Sequence, residues 1–544
     1  MKRKIKLCIL AVLCALSAAA LLAACNQDKS GKASDTLYVG TVAVIESATR
    51  SEYNFDVMST NITQLPLVGM NDEGEYYPVA ATWSANNDSS EWTYTVRDGL
   101  EWHDGTPVTA EDILATLLYS EREGQEIFKG EAPRYRSYTL SGDGRSITLT
   151  LSEPNVREPG NMTTMRLVPA SVYTADADRT PDDDKRVSAE DSRMGCGPFR
   201  FGKFDKNAGT ITFVRNDGFF AGAPAVREIV VRLFGNEDTM YMALARGDID
   251  TTWKYSGGLS AAAQTMLAER DNVALFTAAA KNNPAVLMFN NSKAPFDNEN
   301  IRLAVRAALD YAQIRTLFAS EYAAPAREGM IPPAVYGYCP TEELVQDTEL
   351  AEELLRAEGY VAKDGEGYWI KDGKRLGFSL TYNSENAAQM RYAEAVRNSL
   401  AAFGMEVRMD GCEKATYQGK TTNKFGNNTP SHEAAIMTFT AAGTDMAGGL
   451  ASIYIYGGHA VQGGAQVFDK QFENIYDDLQ SASTDGEYTD AARRCQEYYA
   501  AHAPAVALYW DSYVYACDKR VSGFDIDANF GLFNLGTWAS IEIR

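Results

Sequence analysis

Residues 92–118 constrain the fold of this chain more tightly than any other stretch. Trp92, Tyr94 and Val96 alternate with Thr93 and Thr95, the two-residue period of a strand with one buried face. Asp98-Gly99 turns the chain, and Asp104-Gly105-Thr106-Pro107 turns it again. Thr109 is placed to cap a helix whose first turn carries Glu111 and Asp112, where the helix dipole favours negative charge. Ile113, Leu114, Leu117 and Leu118 give that helix one apolar stripe. A strand, two turns and a helix in close succession leave little room for any other local structure.

The N-terminus has the pattern of an export signal. Lys2, Arg3, Lys4 and Lys6 precede an apolar, small-residue stretch over 7–24. A signal peptide is expected, although the stretch borders on the length of an uncleaved anchor. Leu22-Ala23-Ala24-Cys25 resembles a lipobox. That resemblance implies cleavage before Cys25, diacylglyceryl transfer to its thiol, and a mature protein on the outer face of the cytoplasmic membrane. Residues 25–35 read as a short polar tether. No later stretch is apolar enough to cross a membrane.

With 544 residues, the chain exceeds one ordinary domain and suggests two or three. Net charge is −22; residues 1–24 contribute +4, which leaves −26 on the remainder. Such a surface repels nucleic acid and anionic lipid, so no nucleic-acid partner is expected. Five cysteines follow Cys25: Cys196, Cys339, Cys412, Cys495 and Cys517. Odd in number and far apart, they form no disulfide framework. One or two disulfides and buried free thiols are equally open.

Strand and helix patterns alternate from residue 36 to 510, which argues an α/β fold. Residues 36–45 read as an apolar strand, 299–318 as one helix with Ile301, Val305, Leu309 and Leu317 inward, and 387–403 as a long helix. The acid run Pro181-Asp182-Asp183-Asp184-Lys185 reads as a solvated loop.

The run from Trp92 to Leu114 resembles the signature of family 5 of the bacterial extracellular solute-binding proteins. That family includes the oligopeptide-, dipeptide- and nickel-binding receptors of ABC importers. A second run, Gly195-Cys196-Gly197-Pro198-Phe199 onward through Arg215-Asn216-Asp217, 226–234 and Gly247-Asp248-Ile249-Asp250, resembles the same family, with Cys196 where Thr is more usual. The resemblance implies a type II periplasmic-binding-protein-like fold: two α/β lobes on a two-stranded hinge, with an extra domain in the first lobe. Mapped here, lobe I is 36–75, 191–284 and 509–544; the inserted domain is 76–190; lobe II is 285–508. A monomer is implied, working with ABC permease subunits and their cytoplasmic ATPases.

No catalytic signature competes with that reading. G-x-S-x-G, H-E-x-x-H and Walker patterns are absent, and His103, His432, His459 and His502 are scattered. No metal site, cofactor or enzymatic activity is expected, and a surface-anchored hydrolase is the rival from another class. In the family the ligand lies between the lobes. The corresponding segments place Glu46 after the first strand, Trp253 and Tyr255 after Gly-Asp-Ile-Asp, Asn383 at a strand end, Phe439, Asp445 and Met446 in one loop, and Tyr509 and Trp510 at the hinge. Asp445 corresponds to an aspartate that pairs with a peptide's α-ammonium. Peptide receptors usually carry Asp-Tyr-x-Asp-Pro there, whereas this chain has Thr444-Asp445-Met446-Ala447-Gly448-Gly449. The aromatic residues suit core packing as well as ligand contact. A peptide-like solute is the expected ligand; a nickel chelate, haem or an oligosaccharide are alternatives on the same scaffold.

Overall fold

A computed structural model describes residues 35–71, 74–127, 134–174, 179–254, 258–277, 283–318, 323–331, 336–422, 429–438, 450–458, 463–526 and 531–544. Seven strands build the first sheet, in the order Val273–Thr277, Val514–Asp518, Thr251–Thr252, Thr36–Thr41, Glu228–Leu233, Thr210–Arg215 and Phe199–Asp205. Thr36–Thr41 runs parallel to both its neighbours, pairing Leu37 with Ile229 and Val39 with Thr251. The outer strands are antiparallel. The first strand stops at Thr41 rather than continuing to Ile45, because its partners stop too, at Leu233 and Thr252.

The sequence signals work locally as their chemistry dictates. Asn236 caps the helix Glu237–Ala245 through its side chain to the Thr239 N–H at 2.9 Å, with Met240 and Leu244 fully buried. Gly247 follows the helix with φ +76°, a left-handed C′ position that favours glycine. Asp250, wholly buried, accepts from the Tyr38 N–H at 2.7 Å and from both arms of Arg520 at 2.7 and 2.6 Å. The Gly-Asp-Ile-Asp run is therefore a clamp that ties two segments of the first sheet together.

The four-stranded antiparallel sheet of the inserted domain runs Ala81–Ala85, Glu91–Val96, Ser146–Leu151, Tyr135–Leu140. Trp92, Tyr94 and Val96 face its core, while Thr93 and Thr95 hydrogen-bond Thr148 and Ser146 on the other face. Thr109 precedes the helix Ala110–Ile127 and donates its N–H to Asp112 at 2.8 Å. Asp112 also accepts from Trp102 Nε1 and the Ala170 N–H, so one buried carboxylate joins turn, helix and a later loop. The acid run is not a loop. Pro181–Lys185 is a helical turn with a Thr180 capping box, and Asp184 is buried between Arg122 and Arg179. Gly195 and Gly197 lie where this domain meets the first lobe: a Cβ at either would press into the Thr63 backbone.

The second sheet orders Glu406–Cys412, Gly377–Asn383, Ala434–Thr438, Asn283–Phe289 and Ala505–Asp511, with the first three parallel. Phe289 stacks on Phe296 at 4.4 Å, which meets Phe378 edge-on at 4.8 Å. The predicted 299–318 helix is two, Glu299–Ala308 and Tyr311–Phe318. Leu309 is extended, and Asp310 restarts the helix by accepting from the Gln313 N–H at 2.9 Å. The restart resets the phase: Ile314 is buried and Leu317 is exposed. Ala387–Phe403 is a single helix, as expected.

Two crossings, between 277 and 283 and between 511 and 514, join the sheets side by side: Thr277 pairs with Val514 in one and Asn283 with Asp511 in the other. Tyr509 and Trp510, assigned from sequence to the first lobe, lie in the second sheet, paired with Ala285 and Pro284. The five cysteines are free thiols, buried except for the half-exposed Cys339.

Candidate functional site

Parallel strands direct their loops to one edge of a sheet, and ligands of open α/β sheets bind beyond that carboxyl edge. In the first sheet the parallel strands end at Thr41, Leu233 and Thr252. In the second they end at Asn383, Cys412 and Thr438. Both crossings leave and enter at these same edges, since Thr277 and Val514 lie at the first and Asn283 and Asp511 at the second. The two carboxyl edges therefore face one cleft with the hinge along its side. A separate hollow of about 510 Å³, lined by Met70, Tyr77, Phe219 and Leu535 among others, opens at the opposite edge of the first sheet.

Apart from Tyr509, the expected site residues fall into three groups. Glu46 and Asn383 lie in the segments that leave the carboxyl edges; Glu46 pairs with Lys206, and Asn383 uses its side chain to cap the turn at Glu385. Trp253 and Trp510 are core residues. Trp253 is 7% exposed and packs in the first-lobe core, while Trp510 is 1% exposed in the second. Their neighbours explain this: the Trp253 N–H extends the ladder to Gly40, and the Trp510 backbone pairs with Ala324. Tyr255, Phe439, Asp445, Met446 and Cys25 lie outside the described residues, as does His459.

Tyr509, two residues before the 511–514 crossing, is buried in the second-lobe core at 3% exposure and has a partner that sequence reading missed. Its hydroxyl meets that of Tyr392 at 2.7 Å. Tyr392 takes Phe318 edge-on at 5.0 Å, and the Arg391 guanidinium lies 5.2 Å over the Phe318 ring. Asp511 follows two residues after Tyr509 and supplies the opposite charge. Burial, then the facing phenol and Asp511, push the Tyr509 hydroxyl well above the usual phenol range; burial also raises Tyr392. Both phenols stay protonated and bond each other rather than a base, so they offer hydrogen bonds, not a nucleophile. Tyr392 and Arg391 were findable: they occupy the first turns of the helix that follows a parallel strand of the second sheet, where carboxyl-edge sites draw their residues.

His103 and His432 are spent on backbone carbonyls. His103 hydrogen-bonds the Gly197 carbonyl at 3.1 Å, and His432 Nδ1 donates to the Lys420 carbonyl at 3.1 Å. Burial pushes both down to about 4.

The family model for bacterial extracellular solute-binding proteins, family 5 Middle, matches residues 75–461. The chain belongs to that family. A probable D,D-dipeptide-binding periplasmic protein, DdpA, of Escherichia coli K12 is 26% identical over 352 residues, covering 63% of this chain and 62% of that protein. The nickel-binding periplasmic protein of the same organism is 25% identical, over 66% of this chain and 68% of its own. The chain thus spans about two thirds of the length of these curated relatives. The crystal structure of NikA from Brucella suis in complex with Fe(III)-EDTA superposes with a TM-score of 0.78 at 17% identity, covering 94% of this chain and all of that one; at that identity the likeness is one of fold. Among the described residues no helix is long and apolar enough to cross a membrane, and no cluster of three or more His, Cys, Asp or Glu side chains is arranged to hold a metal ion.

Proposed function

We propose that this chain is a non-catalytic extracytoplasmic receptor. It captures a peptide-like solute between the carboxyl edges of its two sheets and delivers it, as a monomer, to an ABC permease driven by cytoplasmic ATPases. Lipidation of Cys25 would hold it at the membrane. The observation that carries this reading is the hinge-side cluster of the partly exposed Phe318 and Tyr392, held from behind by the buried Tyr509 and flanked by Arg391 and Asp511. Aromatic faces with two opposite charges suit a ligand that has an apolar body and both a carboxylate and an ammonium group. Glu46 and Asn383 border the same cleft, and Tyr255, Phe439, Asp445 and Met446 would supply contacts from the remaining loops. The relatives named for D,D-dipeptides and for nickel frame the two ligand classes to be separated.

Thermal unfolding against panels of short peptides, nickel chelates, haem and oligosaccharides tests the reading. A ligand at about 100 times its dissociation constant adds ~2.7 kcal/mol, which raises the midpoint of a chain this long by roughly 2–3 °C. The expected shift is with peptides, and Arg391→Ala should weaken that binding by about tenfold or more, the loss of one charge-assisted hydrogen bond. A shift confined to chelates, haem or glycans would replace the ligand class, and turnover of any of them would replace the non-catalytic reading.

A further inference from the structure

The hinge is not the only place where the lobes meet. A second junction joins the inserted domain to the second lobe, through residues that belong to neither carboxyl edge. The Val156 N–H donates to the Ala482 carbonyl at 2.8 Å, and Ser89 Oγ donates to the Ser483 carbonyl at 2.8 Å. Val156 packs against the second-lobe core. Next to it, the Arg157 guanidinium sits 4.2 Å over Tyr76 of its own side and 4.0 Å over Tyr336 of the other, with Tyr488 at 5.6 Å. Arg157 Nη2 donates to the Gly74 carbonyl at 2.9 Å, which fixes the guanidinium plane. Across the junction, Tyr336 stacks on Tyr488 at 5.6 Å and donates its hydroxyl to Asp485 at 2.7 Å. A cation is thus held between rings from both bodies, and each ring is fixed by its own lobe.

We infer that Arg157 and Tyr336 form a latch that holds the two lobes closed and thereby sets ligand affinity from outside the cleft. A change of interlobe angle about the two crossings would have to break or remake these contacts, so the junction ties the lobes to a narrow range of angle. Among the described residues its contacts come from segments other than those that leave the carboxyl edges, so it is available whether or not the cleft is occupied. A bias of this kind changes apparent affinity through the population of the binding-competent state, without any contact to the ligand. The inference requires two lobes that move about the hinge, not any particular solute.

Small-angle scattering of the full chain with no added ligand tests it. The wild type should match the closed arrangement, near the roughly 24 Å radius of gyration of a compact chain this long, and Arg157→Ala should add about 1 Å. Tyr336→Ala, which removes the partner from the opposite lobe, should open the chain equally, and the double variant no further than either single one. Tyr336→Phe keeps the ring and should stay closed, which separates the latch from a general loss of folding. Equal radii for wild type and Arg157→Ala, or a double variant whose opening is the sum of both, would overturn the latch.

Discussion

His432 shows how a single buried side chain makes the whole fold sensitive to acid. Its Nδ1 is spent on the Lys420 carbonyl, its Nε2 has no partner among the described residues, and Lys293 lies nearby, so a second proton has nowhere to go. The unfolded chain takes that proton near 6.5 and the folded chain only near 4. Between those values the unfolded state holds more protons, so the folded state loses ground as pH falls. His103 adds the same window. Together they should remove several kcal/mol on going from pH 6.5 to 4, about 3 each at most, and His432→Gln should flatten that part of a denaturation-versus-pH curve. Asp250 makes the opposite kind of case, a charge satisfied in full by Tyr38 and Arg520. Asp250→Ala strands the Arg520 guanidinium, 19% exposed at its side chain, and should cost about 3–5 kcal/mol by urea titration. A loss below 1 kcal/mol would mean that the clamp is not structural.

At the scale of elements, periodicity was readable wherever one face of a strand or helix is buried and nothing interrupts it. Trp92, Tyr94 and Val96 on the inserted sheet and the helix Ala387–Phe403 follow their apolar patterns. The 299–318 helix does not, because Asp310 is polar enough to cap a new start, and a cap in mid-pattern looks like one solvent-facing residue of a longer helix. The site was legible to the same extent. Loops at strand ends could be located, which put Glu46 and Asn383 in or beside segments that leave the carboxyl edges, while Tyr509 is a buried residue of a strand. Whether a Trp turns to the cleft or to the core depends on packing that no local pattern carries, and Trp253 and Trp510 turned to the core. The helix break has a direct consequence. Ile314→Ala should cost about 2–5 kcal/mol, whereas Leu317→Ala, the position an unbroken helix would bury, should stay within about 0.5 kcal/mol.

For the whole molecule, the arrangement of cores decides how it comes apart. One apolar cluster holds only residues from Ala285 to Trp510, another spans Leu65 to Phe219, and two more hold the first sheet together. The inserted domain packs on the first sheet around Thr63, Gly195 and Gly197, whereas among the described residues the second-sheet body joins the rest at the two crossings of the hinge and at the junction around Arg157. Independent cores melt independently unless an interface couples them, and a scan then absorbs more heat than a single cooperative transition of that sharpness requires. Differential scanning calorimetry of the chain should therefore give a calorimetric enthalpy above the van't Hoff value. Arg157→Ala should widen or split the transition, because it removes a coupling contact while leaving each core intact. A solute that touches both carboxyl edges should do the reverse and draw the transitions together. A single transition with equal enthalpies, unchanged by Arg157→Ala, would mean that the lobes are already coupled through the hinge alone.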